Sequence, residues 1–465
     1  MNENTGKPAP NFEDLTPEDK AQVCFLKAAK LHKGNKLSEA LTLYGQAVAF
    51  NPLMADAFNN MAVALRKQTH FGAALACYKR SISIRKGHAG TYSNMGNVLN
   101  DLDQVDEAIA AHSKAVELDP ENLLYQYNKA LVLRDAGKLD AAIALFDQVL
   151  ESDPNYKDCP WDRALTYLMA GNFKTGFSEY DTRWSLEKSP PRNFVEPQWD
   201  GDPLRTRTLF IHREQGFGDA MQFIRLVSVI KKFYGGTIIL ECQPELISLF
   251  EQVEGIDQLV PFGQRPPRFD VWIPLMSLAR ILKIDQDSIP GAIPYLYPRK
   301  ENRFRIRPSP EGGLNIGMVW AGSPTHQNDR RRSVNVDKFL PLMAHQGVTL
   351  FSLQKGERSK DIALIGGQGL IIDAGQEIKS FADTASLIAQ LDLVISVDTS
   401  VVHLASAMGK PVWLLLPYTP DWRWMLERDD SPWYPSLRIF RQEKPGDWDG
   451  VFDKVYLALN EKLTA

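Results

Sequence analysis

Residues 390–424, QLDLVISVDTSVVHLASAMGKPVWLLLPYTPDWRW, decide the fold. Leu393 to Val397 is a short, mostly apolar run, the pattern of a strand buried in a parallel sheet. Asp398, Thr399 and Ser400 stand where that strand ends. Val401 to Met408 reads as a short helix with His403 on its first turn. Gly409 stops it, Lys410 and Pro411 turn the chain, and Val412 to Leu416 is a second buried strand. Such a strand–helix–strand unit sets polar residues at a helix N-terminus, where free backbone N–H groups and the positive end of the helix dipole suit a phosphate. Ligands of open α/β sheets bind outside the carboxyl ends of the strands. The stretch therefore predicts a bound anion, a diphosphate or nucleotide.

Outward from it, the pattern alternates strand and helix. Leu314 to Trp320 and Val348 to Ser352 read as strands, with helices near 336–345 and 380–390. An earlier series begins at Thr208–His212 and passes through the loop Arg213-Glu214-Gln215-Gly216-Phe217-Gly218-Asp219 into an amphipathic helix, Ala220 to Phe233. Strands at Thr237–Leu240 and Phe269–Pro274 follow, with helices at Glu245–Phe250 and Leu278–Leu282. Residues 298–312 are charged, proline-containing and without period, and read as a linker. The expectation is two doubly wound parallel sheets, at 204–298 and 312–458, joined to what precedes them by the junction around Pro190-Pro191.

The first third has a period of 34 residues: Ala40, Ala74, Ala108 and Ala142; Tyr44, Tyr78, His112 and Phe146; and Pro52, Pro120 and Pro154, with Lys86 in the second slot. Small residues pack where two helices cross, an aromatic fills the gap to the next helix, and proline closes the unit. The period resembles the tetratricopeptide repeat, a 34-residue helix pair. Four repeats cover about 21–154, and a less regular unit at 157–184 extends the array, placed at 19–186. Residues 1–18 read as disordered. Asn60, Asn94 and Asn128 keep the same period. Two readings are open: asparagines bonded within their own repeat, or a ladder of amides gripping an extended peptide backbone.

A formal net charge of −4 argues against a nucleic-acid partner. Cys24, Cys77, Cys159 and Cys242 are far apart, without a CxxC pair, and read as reduced thiols. No apolar run approaches the roughly 20 residues of a membrane span, and the polar, acidic N-terminus lacks the features of a signal peptide. A cytoplasmic location is expected. No His/carboxylate cluster has metal-ligand spacing, and Asp200-Gly201-Asp202 lies in a junction before a strand, where it reads as a turn.

At this point two motifs carry a resemblance. DTSVVHLASAMGKPVWLL resembles the donor-site signature of the ADP-heptose-type lipopolysaccharide heptosyltransferases, and REQGFGDAMQFIRL is similar to that family's glycine-rich loop ending in Gly-Asp. VWAGSPTHQNDRRRSV and DWRWMLERDDSPWYP resemble bacterial proteins that fuse tetratricopeptide repeats to such a domain, including flagellin glycosyltransferases. The resemblance implies a GT-B fold of two Rossmann-like halves and transfer, with inversion, of a sugar from a nucleotide-activated donor. It implies a CMP- or UDP-linked donor, a nonulosonic acid as the sugar, and flagellin Ser/Thr as the acceptor. Protein O-GlcNAc transferases carry a similar asparagine ladder. The resemblance also implies that Asp219, of the Gly-Asp motif, is the base; its other reading is a helix cap. Gly216 and Gly218 leave room beside it, Gln215 is placed to orient a hydroxyl, and Glu214 is a reserve carboxylate.

His403, with the backbone N–H groups of Thr399 and Ser400 after Asp398, reads as a site for the leaving phosphate without a metal; alternatively it is a histidine packed on the sheet. Lys355, and one of Arg330, Arg331 and Arg332 (Arg330 first), are placed to meet a phosphate or a sugar carboxylate, or else are solvated. Trp422 and Trp424 either stack on a base or pack. Three functions are thus distinguished. The first is a protein glycosyltransferase whose repeats hold the polypeptide. The second is a lipopolysaccharide-type glycan transferase. The third is a non-catalytic scaffold with a degenerate transferase domain.

Overall fold

The computed structural model describes residues 11–156, 158–186, 191–299, 304–309, 312–325 and 328–464. Residues 1–10, Pro190, and parts of the 298–312 linker and the 323–334 loop lie outside the described residues. The chain divides into two compact units, residues 1–160 and 161–465.

The first unit is a tetratricopeptide solenoid of four antiparallel helix pairs: α1 (Pro17–Lys33) with α2 (Leu37–Phe50), α3 (Ala55–Lys67) with α4 (Phe71–Ile84), α5 (Ala89–Asp101) with α6 (Val105–Leu118), and α7 (Leu123–Asp135) with α8 (Leu139–Ser152). Its first helix starts inside the segment read as disordered. Thr16 caps α1 by accepting the Asp19 N–H at 3.1 Å, and Pro17 takes the first helical position. The periodic alanines and aromatics are all buried. A second small-residue set faces them from the first helix of each pair, Ala28, Ala62, Gly96 and Ala130. Gly96 is obligatory in its slot, because a methyl group there would lie 2.6 Å from the His112 ring. The turns within the pairs also keep the period: Asn35, Thr69, Asp103 and Gly137 all have φ between 57° and 74°. Asparagine, aspartate and glycine tolerate that region, whereas β-branched Thr69 is strained there. Neighbouring repeats are tied at equivalent positions, Arg66 Nε to Asp101 at 2.5 Å and Asn100 Nδ2 to Asp135 at 3.0 Å.

A fifth pair, α9 (Cys159–Met169) and α10 (Phe173–Glu179), keeps the left-handed turn at Gly171, φ 79°. All but its first two residues, Cys159 and Pro160, belong to the second unit. There Phe173 and Phe177 pack edge-on against Trp422.

The second unit holds two parallel sheets. The first comprises β1 (Arg205–His212), α11 (Phe217–Phe223), α12 (Arg225–Tyr234), β2 (Gly235–Cys242), the single turn α13 (Ile247–Phe250), β3 (Gln258–Pro261), β4 (Val271–Pro274) and the turn α14 (Leu278–Ile281). Strand order is β3-β2-β1-β4. The helix expected at 220–233 is two helices that meet at Ile224. The second sheet comprises β5 (Leu314–Val319), α15 (Asp329–Arg332), β6 (Val348–Ser352), α16 (Asp361–Leu364), β7 (Ile371–Asp373), α17 (Phe381–Ile388), β8 (Leu393–Val397), α18 (Ser400–Ala407), β9 (Val412–Leu416), β10 (Leu437–Arg441) and the closing helix α19 (Trp448–Thr464). Between β5 and β6, residues 336–344 form a 3-10 helix, since Pro341 inside the segment has no N–H for an α-helical ladder.

The order β10-β9-β8-β5-β6-β7 places a topological switch between β5 and β8. From β5 the chain winds one way to β7, then returns to the other side at β8. The first sheet has its switch between β1 and β4. These are the crevices in which doubly wound sheets bind ligands. Two such halves after a repeat solenoid give a GT-B-like architecture. No helix among the described residues is long and apolar enough to cross a membrane.

Candidate functional site

In the first half the site grows from the carboxyl end of β1. The chain leaves the sheet at His212 and enters a left-handed conformation at Gln215, φ 52°, before turning into α11. Asp219, in the first turn of α11, reaches back so that its Oδ2 accepts the Gly216 N–H at 2.7 Å. The helix-cap reading of Asp219 is thus seen in Oδ2, while Oδ1 faces the second half. Gln215 Nε2 donates to Tyr180 Oη at 3.3 Å.

Glu214 is not a spare base. It is buried in a bidentate pair with Arg183, at 2.7 and 2.9 Å, and accepts the Met276 N–H at 2.7 Å.

In the second half, Asp398 stands at the carboxyl end of β8, beside the switch. Its carboxyl is pushed up to about 6, by burial first and by the Asp421 charge second, with Arg332 pulling the other way. Arg332, at the end of α15, is thus an arginine whose charge reaches Asp398. Its guanidinium lies against Gly322, which has no side chain to obstruct it, whereas Arg330 is exposed. Thr399 precedes the first residue of α18, but its hydroxyl bonds Ser396 Oγ at 3.1 Å, and no side chain caps this helix start. Lys355 gives its ammonium to the Gly375 and Ile378 carbonyls, at 3.1 and 2.9 Å, and so braces the neighbouring loop.

His403 is buried, with Nδ1 2.9 Å from Tyr434 Oη and its ring 5.4 Å from that of Trp424. Burial first, and then the Arg423 charge, push its pKa down to about 3. Any contact it makes with an anion at neutral pH is a hydrogen bond from a neutral imidazole. The unfolded chain takes up this proton near pH 6.5 and the native protein only near 3, so stability falls as pH drops below about 6.5. Between pH 6.5 and 5 His403 is expected to remove about 2 kcal/mol. His112 and His212, each pushed down to about 4 mainly by burial, act with the same sign. Urea unfolding at pH 7.5 and 5 measures this, and His403→Gln should flatten the slope.

The space beside Gly218 is filled by His403. A methyl group at Gly218 would lie 2.7 Å from His403 Cδ2 and 3.2 Å from Nε2. The glycine therefore lets the start of α11 approach α18 instead of leaving a void for a ligand. Gly218→Ala is expected to cost about 1–3 kcal/mol, because His403 is held by Tyr434 and Trp424 and cannot yield freely. Thermal unfolding reads this.

Sequence reasoning passed over Arg423. It lies between the two tryptophans that drew attention to DWRW, and both of those pack: Trp422 and Trp424 are 3% and 0% exposed. Arg423 Nε donates to Gln222 Oε1 at 2.6 Å and Nη1 to Asp421 Oδ1 at 2.8 Å, while Nη2 donates to Asp219 Oδ1. Its guanidinium lies 4.4 Å over the Trp422 ring. Burial opposes its charge, yet the Asp421 and Asp219 carboxylates hold it protonated well above the ordinary arginine range. An arginine between two large aromatics was the available signal.

In the repeats, Asn60, Asn94 and Asn128 are each the sixth residue of α3, α5 and α7. Asn60 Oδ1 accepts from Asn59 Nδ2 and Asn128 Nδ2 donates to Ser93 Oγ, both at 3.1 Å. All three are half-buried. Among the described residues, no group of three or more His, Cys, Asp and Glu is placed to hold a metal ion.

Residues 379–447, which contain Asp398 to His403 and Asp421 to Arg423, match glycosyltransferase family 9 (heptosyltransferase). Residues 54–91 and 94–157 match tetratricopeptide-repeat families. The chain joins a tetratricopeptide array to a heptosyltransferase-like domain. A curated relative of this repeat–heptosyltransferase-like chain is protein FlbA of Caulobacter vibrioides, 26% identical over 324 residues, which are 63% of this chain and 53% of FlbA. The chain thus spans about half the length of that relative. Among solved structures, it is similar to YrrB, a tetratricopeptide-repeat protein with an unusual peptide-binding site (22% identity, 39% of this chain and 95% of YrrB, TM-score 0.34). It is also similar to MamA of Desulfovibrio magneticus (17% identity, 37% of this chain and 98% of MamA, TM-score 0.35).

Proposed function

We propose that this chain is a glycosyltransferase that moves a sugar from a nucleotide-sugar to a polypeptide held by its repeats. The observation that carries the reading is the meeting of the two halves at their switches: Asp219 of α11 pairs with Arg423 of the second half, and Gly218 beside it lies against His403 of α18, whose start no side chain caps. The family 9 match over 379–447 supports a sugar nucleotide as the ligand of the second crevice.

The Asp219 carboxylate takes the proton of the acceptor hydroxyl. The hydroxyl oxygen bonds the anomeric carbon from the face opposite the phosphate, and the carbon–phosphate oxygen bond breaks with its electron pair leaving on the nucleotide. The N–H groups at Thr399 and Ser400, with Arg332, meet the charge of the leaving group, a role that divalent metals fill in other transferases. Asp398 and His403 shape this pocket, and Arg330 and Lys355 flank it. The half-buried asparagine ladder of α3, α5 and α7 carries polar groups suited to an extended peptide backbone. In the finer form of the proposal the protein is cytoplasmic, the donor is a CMP- or UDP-linked nonulosonic acid, and the acceptor is a flagellin Ser/Thr hydroxyl.

A thermal-shift panel of CMP, UDP, GDP and ADP tests the donor half, since a ligand that binds only the native state raises its stability. Intact-mass analysis of flagellin incubated with the protein and a CMP-nonulosonic acid tests the transfer. No shift with any nucleotide sinks the transferase reading. Transfer to a lipid or oligosaccharide acceptor in preference to protein moves the function to glycan assembly.

A further inference from the structure

We infer that Arg423 is the positioning residue of Asp219, and that it makes the base competent only when the two halves of the second unit are together. The inference rests on the transferase reading above.

The two oxygens of Asp219 have different tethers. Oδ2 is fixed by the Gly216 N–H within its own half, and Oδ1 by Arg423 from the other half. Arg423 does not depend on Asp219 for its own place. Within its own half Asp421 holds Nη1, Trp422 lies beneath the guanidinium plane, and the Arg423 N–H donates to Asp421 Oδ1 at 3.1 Å, while Gln222, on the same helix as Asp219, takes Nε when the halves meet. The guanidinium is a pre-set fork against which a carboxylate from the facing half aligns. Asp219 is the more accessible partner, its side chain 19% exposed against 8% for Arg423. A base needs this combination: a carboxylate pinned at two points yet open to a substrate hydroxyl on its remaining side.

Arg423 is not the only arginine across the halves, and the comparison is informative. Arg225 of α12 donates from Nη1 to the Trp433 carbonyl at 2.7 Å, is also buried, and lies 4.4 Å over the Tyr295 ring. It bridges the same two halves and has no hydrogen bond to Asp219. If bridging were all that mattered, the two arginines would be equivalent.

The test therefore pairs them. In the full chain, Arg423→Ala is expected to lower kcat by about 10²-fold or more, the scale of a misplaced general base, with the donor KM near the wild-type value. Added guanidinium ion should restore part of that loss. Arg225→Met should change thermal stability, with any loss of activity insensitive to guanidinium. Arg423→Ala on top of Asp219→Asn should cost little more than Asp219→Asn alone, since both remove one function. Arg423→Lys keeps the charge without the fork and should remain impaired; it carries the test if the alanine variant does not fold. Equal effects of Arg423 and Arg225 replacement on kcat and KM, or full additivity with Asp219→Asn, would overturn the positioning role. Absence of transfer by the wild-type protein overturns instead the reading on which it rests, and is seen before any variant is made.

Discussion

Asp219→Asn is expected to lower kcat by about 10²–10⁴-fold, the usual yield of a general base, while nucleotide binding persists. The amide has nearly the shape of the carboxylate but cannot accept the proton. Its single oxygen must also choose between two donors that Asp219 serves separately, the Gly216 N–H and Arg423 Nη2. If it keeps the cap, its NH₂ faces the guanidinium, donor against donor. A stability loss of about 1–3 kcal/mol is therefore expected alongside the kinetic one. Assays well below the unfolding temperature separate the two effects. Capture of the acceptor protein by the repeats should be unchanged, because they form a separate compact unit, residues 1–160. Normal turnover in a folded Asp219→Asn protein would leave Asp219 as a helix cap alone.

The largest effect on stability is expected at Arg183. Its guanidinium donates to both Glu214 oxygens, to Ser277 Oγ at 2.8 Å, to Asp181 Oδ1 at 2.7 Å and to the Tyr180 carbonyl at 2.9 Å. Its side chain and that of Glu214 are 3% and 5% exposed. Burial works against the Arg183 charge, and Glu214, Tyr180 and Asp181 together more than reverse this, so the guanidinium is held above its ordinary range. Arg183→Met would strand Glu214 in the interior and should cost about 3–5 kcal/mol. Arg183→Met with Glu214→Leu should recover most of it, because the uncompensated charge goes as well. Urea unfolding of the second unit measures both. A single variant as stable as wild type would mean that water reaches Glu214. Glu214 lies in the loop that leads into α11, which carries Asp219, so the single variant should also lose transfer, and the double variant should regain stability before activity.

Much of this architecture was legible in order along the chain, for local reasons. A 34-residue period reports helix pairs because each repeat must bury the same small and aromatic positions against its neighbours. Strands β8 and β9 were legible as apolar runs because all five residues of each are buried. Strand β7 was not legible: it has three residues, and the apolar run Leu370-Ile371-Ile372 that marks it is too short to separate from a loop. Strand β10 carries arginines at both Arg438 and Arg441, the signature of an edge and not of a buried core. The helix expected near 336–345 is a 3-10 helix, because Pro341 allows the turn but not the α-helical ladder.

The candidate site divides in the same way. The sequence by itself determined that Asp398 to His403 stands where a strand gives way to a helix, and that Gly216 to Asp219 does so in the other half. These are statements about one segment at a time, set by hydrophobic period and by where backbone N–H groups are left without partners. Only the tertiary structure decided which charged groups meet: Glu214 with Arg183, Asp219 with Arg423, Asp398 within reach of Asp421 and Arg332. It also decided that Gly218 makes room for His403 and not for a ligand. Partners separated by 31 and 204 residues leave no trace in local pattern. Charge pairing inside a protein is chosen by desolvation, which penalises every buried charge until the fold brings it a counter-charge.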